Sequence, residues 1–382
     1  ASLEAMGSTQ IHYEWREEWR RGGARTGVSL HSHTSCSREP LDFIPRCREA
    51  CPWLGPMLDR YEARYRRAHG RELDYASAWW TPPLGPREAL RVEREQIERL
   101  GLRALVSITD HDSIEAPLAL RLLPEGGDAP VSLEWTVPWR GTVFHLGVHN
   151  VPPGQARLLE REMAAYTAAP QAALLEALLE EISTYRQALL VFNHPYWDEK
   201  GNGAHYHAAM AEQFLARYRR WIHALELNGL RPWKENLRTL DLAARYRVPC
   251  VSGGDRHGCE PNALLNLTRA GDFGSFAEEL RGGEASTVLV MRQYREPMLG
   301  RILSAVCDVM RDNREHSYGW VKWSDRVFFR TATGEVKALS EAFAEGREPS
   351  LIRMFVFLAR AAESRGVRFA VRQMFGEAEE FA

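Results

Sequence analysis

Five short segments of this 382-residue chain carry histidines and carboxylates: Leu30-His31-Ser32-His33, Thr109-Asp110-His111-Asp112, Leu133-Glu134 followed by Phe144-His145, Asn193-His194-Pro195, and Gly253-Gly254-Asp255-Arg256-His257. Imidazoles mixed with carboxylates suit borderline divalent ions such as manganese, iron(II) and zinc. Each segment begins where an apolar run breaks off, which is where a strand of an α/β barrel delivers side chains to a shared site. Of the 13 histidines, His31, His33, His111, His145, His194 and His257 fall at such strand ends. A lone histidine is an ordinary polar side chain, whereas six in this arrangement predict a polynuclear metal site.

The apolar runs define the elements that must position these residues. A strand over 27–30 ends at the first histidine pair, where alternation along His31-Ser32-His33 points both imidazoles to one side. Residues 41–98 turn helical and aromatic, punctuated by Pro52, Pro56, Pro82, Pro83 and Pro86, and this is long for a βα connection. Such an insertion either roofs the site with Tyr75, Trp79 and Trp80 or packs those rings between helices. A helix over 87–100 leads to a buried strand over 103–108. Strands over 130–133 and 141–144 present Glu134 and His145, and a helix over 155–187 precedes a strand over 188–192 that Pro195 terminates. Strand 223–228, helix 231–246 and strand 248–252 repeat the strand-then-helix unit, which argues for a parallel, barrel-like sheet with its chemistry at the C-terminal ends.

Composition bounds the rest. With 45% hydrophobic and 26% charged residues, the chain is an ordinary globular protein with room for one large α/β domain and additions. Its net charge of -2 excludes the global basic field of nonspecific nucleic-acid binders. Cys36, Cys47, Cys51, Cys250, Cys259 and Cys307 have no Cys-x-x-Cys spacing, so reduced thiols in a cytoplasm fit better than a zinc ribbon or a disulfide framework. No stretch approaches the roughly 18 apolar residues of a membrane span, and residues 1–21 are charged rather than signal-like. A soluble cytoplasmic protein without a membrane partner is expected, with Met6 as its natural start.

Together these segments resemble the polymerase and histidinol phosphatase (PHP) family of metal-dependent phosphoesterases, whose motifs run His-x-His, Thr-Asp-His, an isolated Glu, a His before Leu-Gly, His-Pro and Gly-x-Asp-x-His. The resemblance covers residues 27–262, interrupted by the insertion. It implies an α/β fold, a distorted seven-stranded (β/α)7 TIM-like barrel, here with a helical insertion and an appended C-terminal α+β segment. It also implies two or three divalent metal ions, usually Mn, Fe or Zn. Carried over by position, His31 and His33 join Glu134 and Asp255 around a first ion, and Glu134 bridges to a second held also by His145 and His194. A third takes His111 and His257 with Glu39, for which Arg38 is an equally close alignment. Asp110 is then an outer ligand or an acceptor that orients an imidazole. Family members commonly carry an Asp two residues before the first His, where this chain has Ser29, so a supporting carboxylate is missing. Arg256 adds a cation beside the metals, either to bind a phosphate oxygen or to form a salt bridge at the rim.

The implied chemistry is hydrolysis of a phosphate ester by a metal-activated water, with Glu134, Asp255, His257 and Arg256 as the residues that carry it. The expected substrate is a small phosphomonoester, a nucleotide or an oligonucleotide end. Ser35, Cys36 and Ser37 lack a Gly-x-Ser-x-Gly frame, which argues against a covalent route. Two alternatives stay open: an amide or C–N hydrolase on the same metals, and a noncatalytic metal-binding module. His205 and His207 read as loop residues, His149 as structural or supporting, and Glu226 and Asn228 as polar contacts at the rim. The expected division is an N-terminal extension (1–26), the hydrolase barrel (27–272, insertion about 41–98) and a C-terminal segment (273–382). In that last segment a strand over 286–290, a helix over 297–313, a hairpin over 320–331 and helix over 341–366 read as a cap or a homo-oligomer contact.

Overall fold

The computed structural model describes residues 8–41, 44, 55–70, 72, 74–312, 322–331, 333–342, 353, 354, 356, 357 and 361. Among them the strands are β1 (Thr9–Tyr13), β2 (Thr26–Ser29), β3 (Glu39–Pro40), β4 (Ala78–Trp80), β5 (Arg103–Val106), β6 (Leu133–Trp139) and β7 (Thr142–His149). They continue with β8 (Leu189–Asn193), β9 (Ala224–Asn228), β10 (Cys250–Gly253), β11 (Leu264–Thr268), β12 (Ser286–Val290), β13 (Val327–Arg330) and β14 (Val336–Ala338). Three sheets result, in the orders β1-β12-β11-β2-β5, β10-β9-β8-β7-β6 and β14-β13-β4-β3.

The first two sheets meet at two seams. At one, Gly254 N donates to Leu30 O (3.0 Å) and His33 N to Arg256 O (2.9 Å). At the other, Asp112 N donates to Glu134 O (2.8 Å) and Glu134 N to Asp110 O (3.2 Å). These contacts are isolated bridges that lie within the histidine segments themselves. His31, Asp112 and Asp255 hold φ of 62°, 48° and 51° there, and left-handed backbone cannot continue a ladder. The fold is therefore mixed α/β, and among the described residues no continuous ladder closes a seven-stranded barrel.

The sheet is also not uniformly parallel. β8, β9 and β10 run parallel, joined by helices Ala204–Tyr218 and Trp233–Tyr246. β6, β7 and β8 run antiparallel; between β6 and β7, Arg140 and Gly141, at φ 49° and 78°, make the two-residue turn whose twist matches that of the flanking strands. The single helix expected over 155–187 is two, Pro153–Ala168 and Ala172–Thr184, divided around Pro170, which lacks the N–H a helix interior needs. Val28, Leu105, Val191, Ala224 and Val251 pack together in one buried cluster with Phe273. The apolar strand residues thus pack beneath the histidine segments, with buried polar side chains such as Glu226 and Asn266 set among them.

Strand pairing runs across the boundaries expected at 26/27 and 272/273, since β1 pairs in parallel with β12 and β12 with β11. The C-terminal hairpin is β13–β14, later in the chain than expected. The helix expected over 297–313 is Met298–Val309, whereas most of 341–366 lies outside the described residues. Among the described residues no helix is long and apolar enough to cross a membrane.

Candidate metal centre

Glu134, the second residue of β6, is fully buried and faces two sets of imidazoles. Its Oε2 lies 2.9 Å from His31 Nε2, 3.4 Å from His33 Nε2 and 3.4 Å from His111 Nε2. Its Oε1 lies 3.1 Å from His194 Nε2 and 3.6 Å from His145 Nδ1, and accepts from Asn193 Nδ2 at 2.9 Å. The five rings form a closed circuit: His31 to His33 is 5.0 Å between centroids, His33 to His111 4.7 Å, His111 to His145 5.0 Å, His145 to His194 5.1 Å and His194 to His31 5.6 Å. His257 stacks on His33 at 4.2 Å. Asp255 Oδ1 stands 3.4 Å from His33 Nε2 and 3.6 Å from His31 Nε2. Glu39 Oε2 stands 3.2 Å from His257 Nε2 and 3.4 Å from His111 Nε2.

Four groups of donor atoms could each hold a cation: His33, Glu39, His111 and His257; His31, His33 and Glu134; His31, His194 and Glu226; His111, Glu134 and His145. Exposure grades across them. His33 and Glu134 side chains are 0% exposed, whereas Asp255 and His257 are each 17% exposed and mark the mouth. Beside His145 and His194, Trp197 and Glu199 line a small depression.

Local backbone brings the donors inward. His31, His194 and Asp255 all hold positive φ, a conformation that costs a non-glycine residue about 1–3 kcal/mol and persists only where the surroundings impose it. The expected alignment of His31 and His33 by strand alternation does not arise, because β2 ends at Ser29 and His31 turns left-handed. Gly253 permits the closest approach: a Cβ there would lie 1.6 Å from Glu226 Oε1 and 2.9 Å from His31 Cβ.

Carboxylates behind the rings orient them. Glu226 holds His31 Nδ1 and accepts from His194 N at 2.8 Å, so His31 presents Nε2 to Glu134. Glu199 Oε2 lies 3.2 Å from His145 Nε2, which leaves Nδ1 toward the centre. His257 Nδ1 donates to Asp255 O at 2.9 Å, leaving Nε2 for Glu39. Carboxylate and carbonyl partners of this kind set the tautomer and aim of a ligating imidazole.

Charge is unevenly distributed. Burial opposes a charged imidazole at His145 and His257, yet Glu134 and Glu199 raise the first to about 9 and Glu39 with Asp255 the second to about 9. His33 is pushed down to about 3 by burial and the neighbouring His257, and its Nε2 has no hydrogen-bond partner. Burial works against ionised Glu134 and Asp255, but the surrounding histidines hold both well below the usual carboxylate range. A neutral imidazole nitrogen facing two ionised carboxylates at 3.4 Å is a donor arrangement suited to a divalent cation.

Two of the anticipated residues are engaged elsewhere. Both Asp110 oxygens are held by Thr34, from N at 2.5 Å and Oγ1 at 2.7 Å, so Asp110 orients the loop after His33 rather than an imidazole. Arg256 turns away from the cluster. Its Nε donates to Glu93 Oε1 at 2.8 Å and its Nη1 to Gly258 O at 2.9 Å, both residues of the ion pair being buried. Glu93, on helix Pro86–Arg99, also accepts from Ser29 Oγ at 2.9 Å. A carboxylate thus lies beside position 29, contributed by a helix. His149 bonds Ser107 Oγ at 2.8 Å in the core. His207 lies on a helix, not a loop, between Thr142 Oγ1 and Pro195 O.

The buried Glu93–Arg256 pair should behave as a unit. Glu93→Gln or Arg256→Met alone is expected to cost about 3–5 kcal/mol, because each leaves an uncompensated buried charge. The double variant should cost clearly less than the sum in a urea double-mutant cycle; strict additivity would show that the pair is uncoupled.

No family model and no curated protein matches this chain. Among solved structures it is similar to a protein from Bifidobacterium adolescentis assigned as a metal-dependent phosphoesterase, at 16% identity over 47% of this chain and 85% of that one, with a TM-score of 0.29. It is also similar to an amidohydrolase from Chromobacterium violaceum with bound sulfate and no metal, at 15% identity over 60% of this chain and 87% of that one, with a TM-score of 0.32. At this degree of likeness the functional reading rests on the site's own geometry.

Proposed function

We propose that this protein is a metal-dependent hydrolase of phosphate esters, of the PHP type its motifs resemble, acting on a small phosphomonoester, a nucleotide or an oligonucleotide end. The observation that carries the reading is the Glu134 carboxylate, with one oxygen toward His31, His33 and His111 and the other toward His145 and His194. His31, His33, Glu134 and Asp255 would hold one divalent ion, Glu134, His145 and His194 a second, and Glu39, His111 and His257, beside His33, a third. Such ions, when bound, would lower the pKa of a coordinated water toward about 7 and neutralise charge on phosphoryl oxygens.

The chain's own part is to fix these donors and shape the approach. Glu226 and Glu199 hold His31 and His145 in the orientation that turns a ring nitrogen inward. Asp255 and His257 stand at the mouth, where substrate arrives. A side-chain nucleophile is disfavoured. Burial pushes the Cys36 thiol up to about 11, so it stays protonated near neutral pH, and Ser37 Oγ is committed to Glu39 Oε1 at 2.5 Å. Adjoining donor groups concentrate cationic charge, which favours a substrate with several anionic oxygens over a neutral amide.

Metal analysis of the purified protein, coupled to a panel of phosphate esters and amides with added manganese, tests the reading. Phosphate release from esters and no turnover of amides is the expected result. Amide turnover without ester turnover would transfer the site to C–N hydrolysis, and a metal-loaded protein inert toward both would leave a binding module.

A further inference from the structure

Glu39 belongs to β3, a two-residue strand that pairs with β4, Glu39 opposite Trp80 and Pro40 opposite Trp79. Two residues have no strand stability of their own, and a two-stranded ribbon is marginal. The other edge of β4 is held by β13, with Val327 opposite Trp80 and Phe328 opposite Trp79. β13 is in turn flanked by β14. Side chains follow this register. Trp79 stacks on Phe328 at 5.7 Å between centroids, and Trp80 lies 5.7 Å from the His257 ring. Thr81 N donates to Arg326 O at 2.9 Å, continuing the contact beyond β4. The donors around Glu134, by contrast, are carried by the other two sheets and the segments that follow their strands.

Resting on the metal-centre reading above, we propose that the C-terminal strands β13 and β14 position Glu39. The group His33, Glu39, His111 and His257 then takes its cation only when this third sheet is formed, while the groups on Glu134 fill without it. Glu39 is the ligand; Phe328 and Trp79 are positioning residues. This gives the C-terminal segment a function in building the centre.

The test counts manganese ions per full-length chain after dialysis, in the unaltered protein and in Glu39→Gln, Phe328→Pro and Trp79→Ala. Proline removes a ladder donor from a central strand. Glu39→Gln and Phe328→Pro should each bind one ion fewer than the unaltered protein, with the remainder retained. Trp79→Ala should weaken that same ion at least tenfold without changing the others. An unchanged count in Phe328→Pro overturns the proposal. If Phe328→Pro loses every ion, Trp79→Ala decides: selective weakening supports the proposal, and no change or general loss overturns it. Equal counts in the unaltered protein and Glu39→Gln would reject the ligand assignment itself, and the proposal with it, separately from any effect of the sheet.

Discussion

Replacing Glu134 by Ala is expected to abolish both metal retention and turnover, with kcat/KM for the best ester falling at least about 10³-fold, equivalent to roughly 4 kcal/mol of transition-state stabilisation. The magnitude follows from geometry. The carboxylate serves imidazoles on both of its oxygens, so its loss removes a ligand from two ions at once. It also removes the anion that favours charge on His31 and His145, leaving five rings around an uncompensated space. Circular dichroism checks that the β6–β7 hairpin survives, and elemental analysis with phosphate release supplies the answer. Full metal content in this variant contradicts the central place assigned to Glu134.

Metal removal should change how stability depends on pH. In the metal-free protein, burial opposes protonation of His31, yet Glu134, Glu226 and Asp255 hold it well above the usual imidazole value; His145 and His257 stand at about 9. A group whose folded pKa is raised contributes stability that is complete below its unfolded value near 6.5 and lost as pH rises through the folded value. His145 and His257 therefore withdraw stability from the metal-free protein progressively between about pH 6.5 and 9, and His31 does so as pH rises through its own raised value. His33 acts in the opposite sense. Held neutral by burial, with a value of about 3, it withdraws stability as pH falls from about 6.5 toward 3. Chelator-treated protein should accordingly melt lower at pH 9 than at pH 6.5, whereas metal-loaded protein should lose little over that alkaline interval, its imidazoles already being held deprotonated by the ions. Metal binding at pH 7 should release protons, readable as buffer-dependent heats in calorimetry. Equal alkaline sensitivity with and without metal would show that these histidines are not the ligands.

The parts of this centre that could be read without coordinates are those that depend on local rules. An apolar run followed by His, Asp or Glu marks a strand end, and the residues of one strand end travel together wherever that strand goes. That is why His31, His33, His111, His194, His257 and Asp255 were recognisable; Glu134 and His145 were picked out by the same break in apolar character, although the strands expected over 130–133 and 141–144 do not end there, Glu134 opening β6 and His145 lying within β7. Glu226 left a weaker trace. A carboxylate inside the apolar strand Ala224–Asn228 must find a partner, but the partner, His31, is distant in sequence. Glu93 left a trace only in helical spacing, since Ala89, Leu90, Glu93, Gln96 and Ile97 share the buried face of their helix. Glu199, on a loop, left none.

Order along the chain, apolar runs and residue chemistry thus indicated that imidazoles and acids would gather, and named most of those that do, though Asp110 and Arg256 are held elsewhere and Glu226 and Glu199 were not among them. Tertiary structure alone decided how the sheets are joined, with left-handed backbone at His31, Asp112 and Asp255 replacing a continuous ladder by isolated bridges. It decided that Arg256 faces Glu93 rather than the donor cluster, because a long, flexible arginine side chain between Asp255 and His257 can turn to either side of the chain and the buried Glu93 carboxylate takes it. It also decided that Glu39 hangs from a sheet completed by the far C-terminal strands. Side-chain identity and strand polarity are encoded within a few residues, whereas the partner of a buried charge is set by whichever distant segment packs against it.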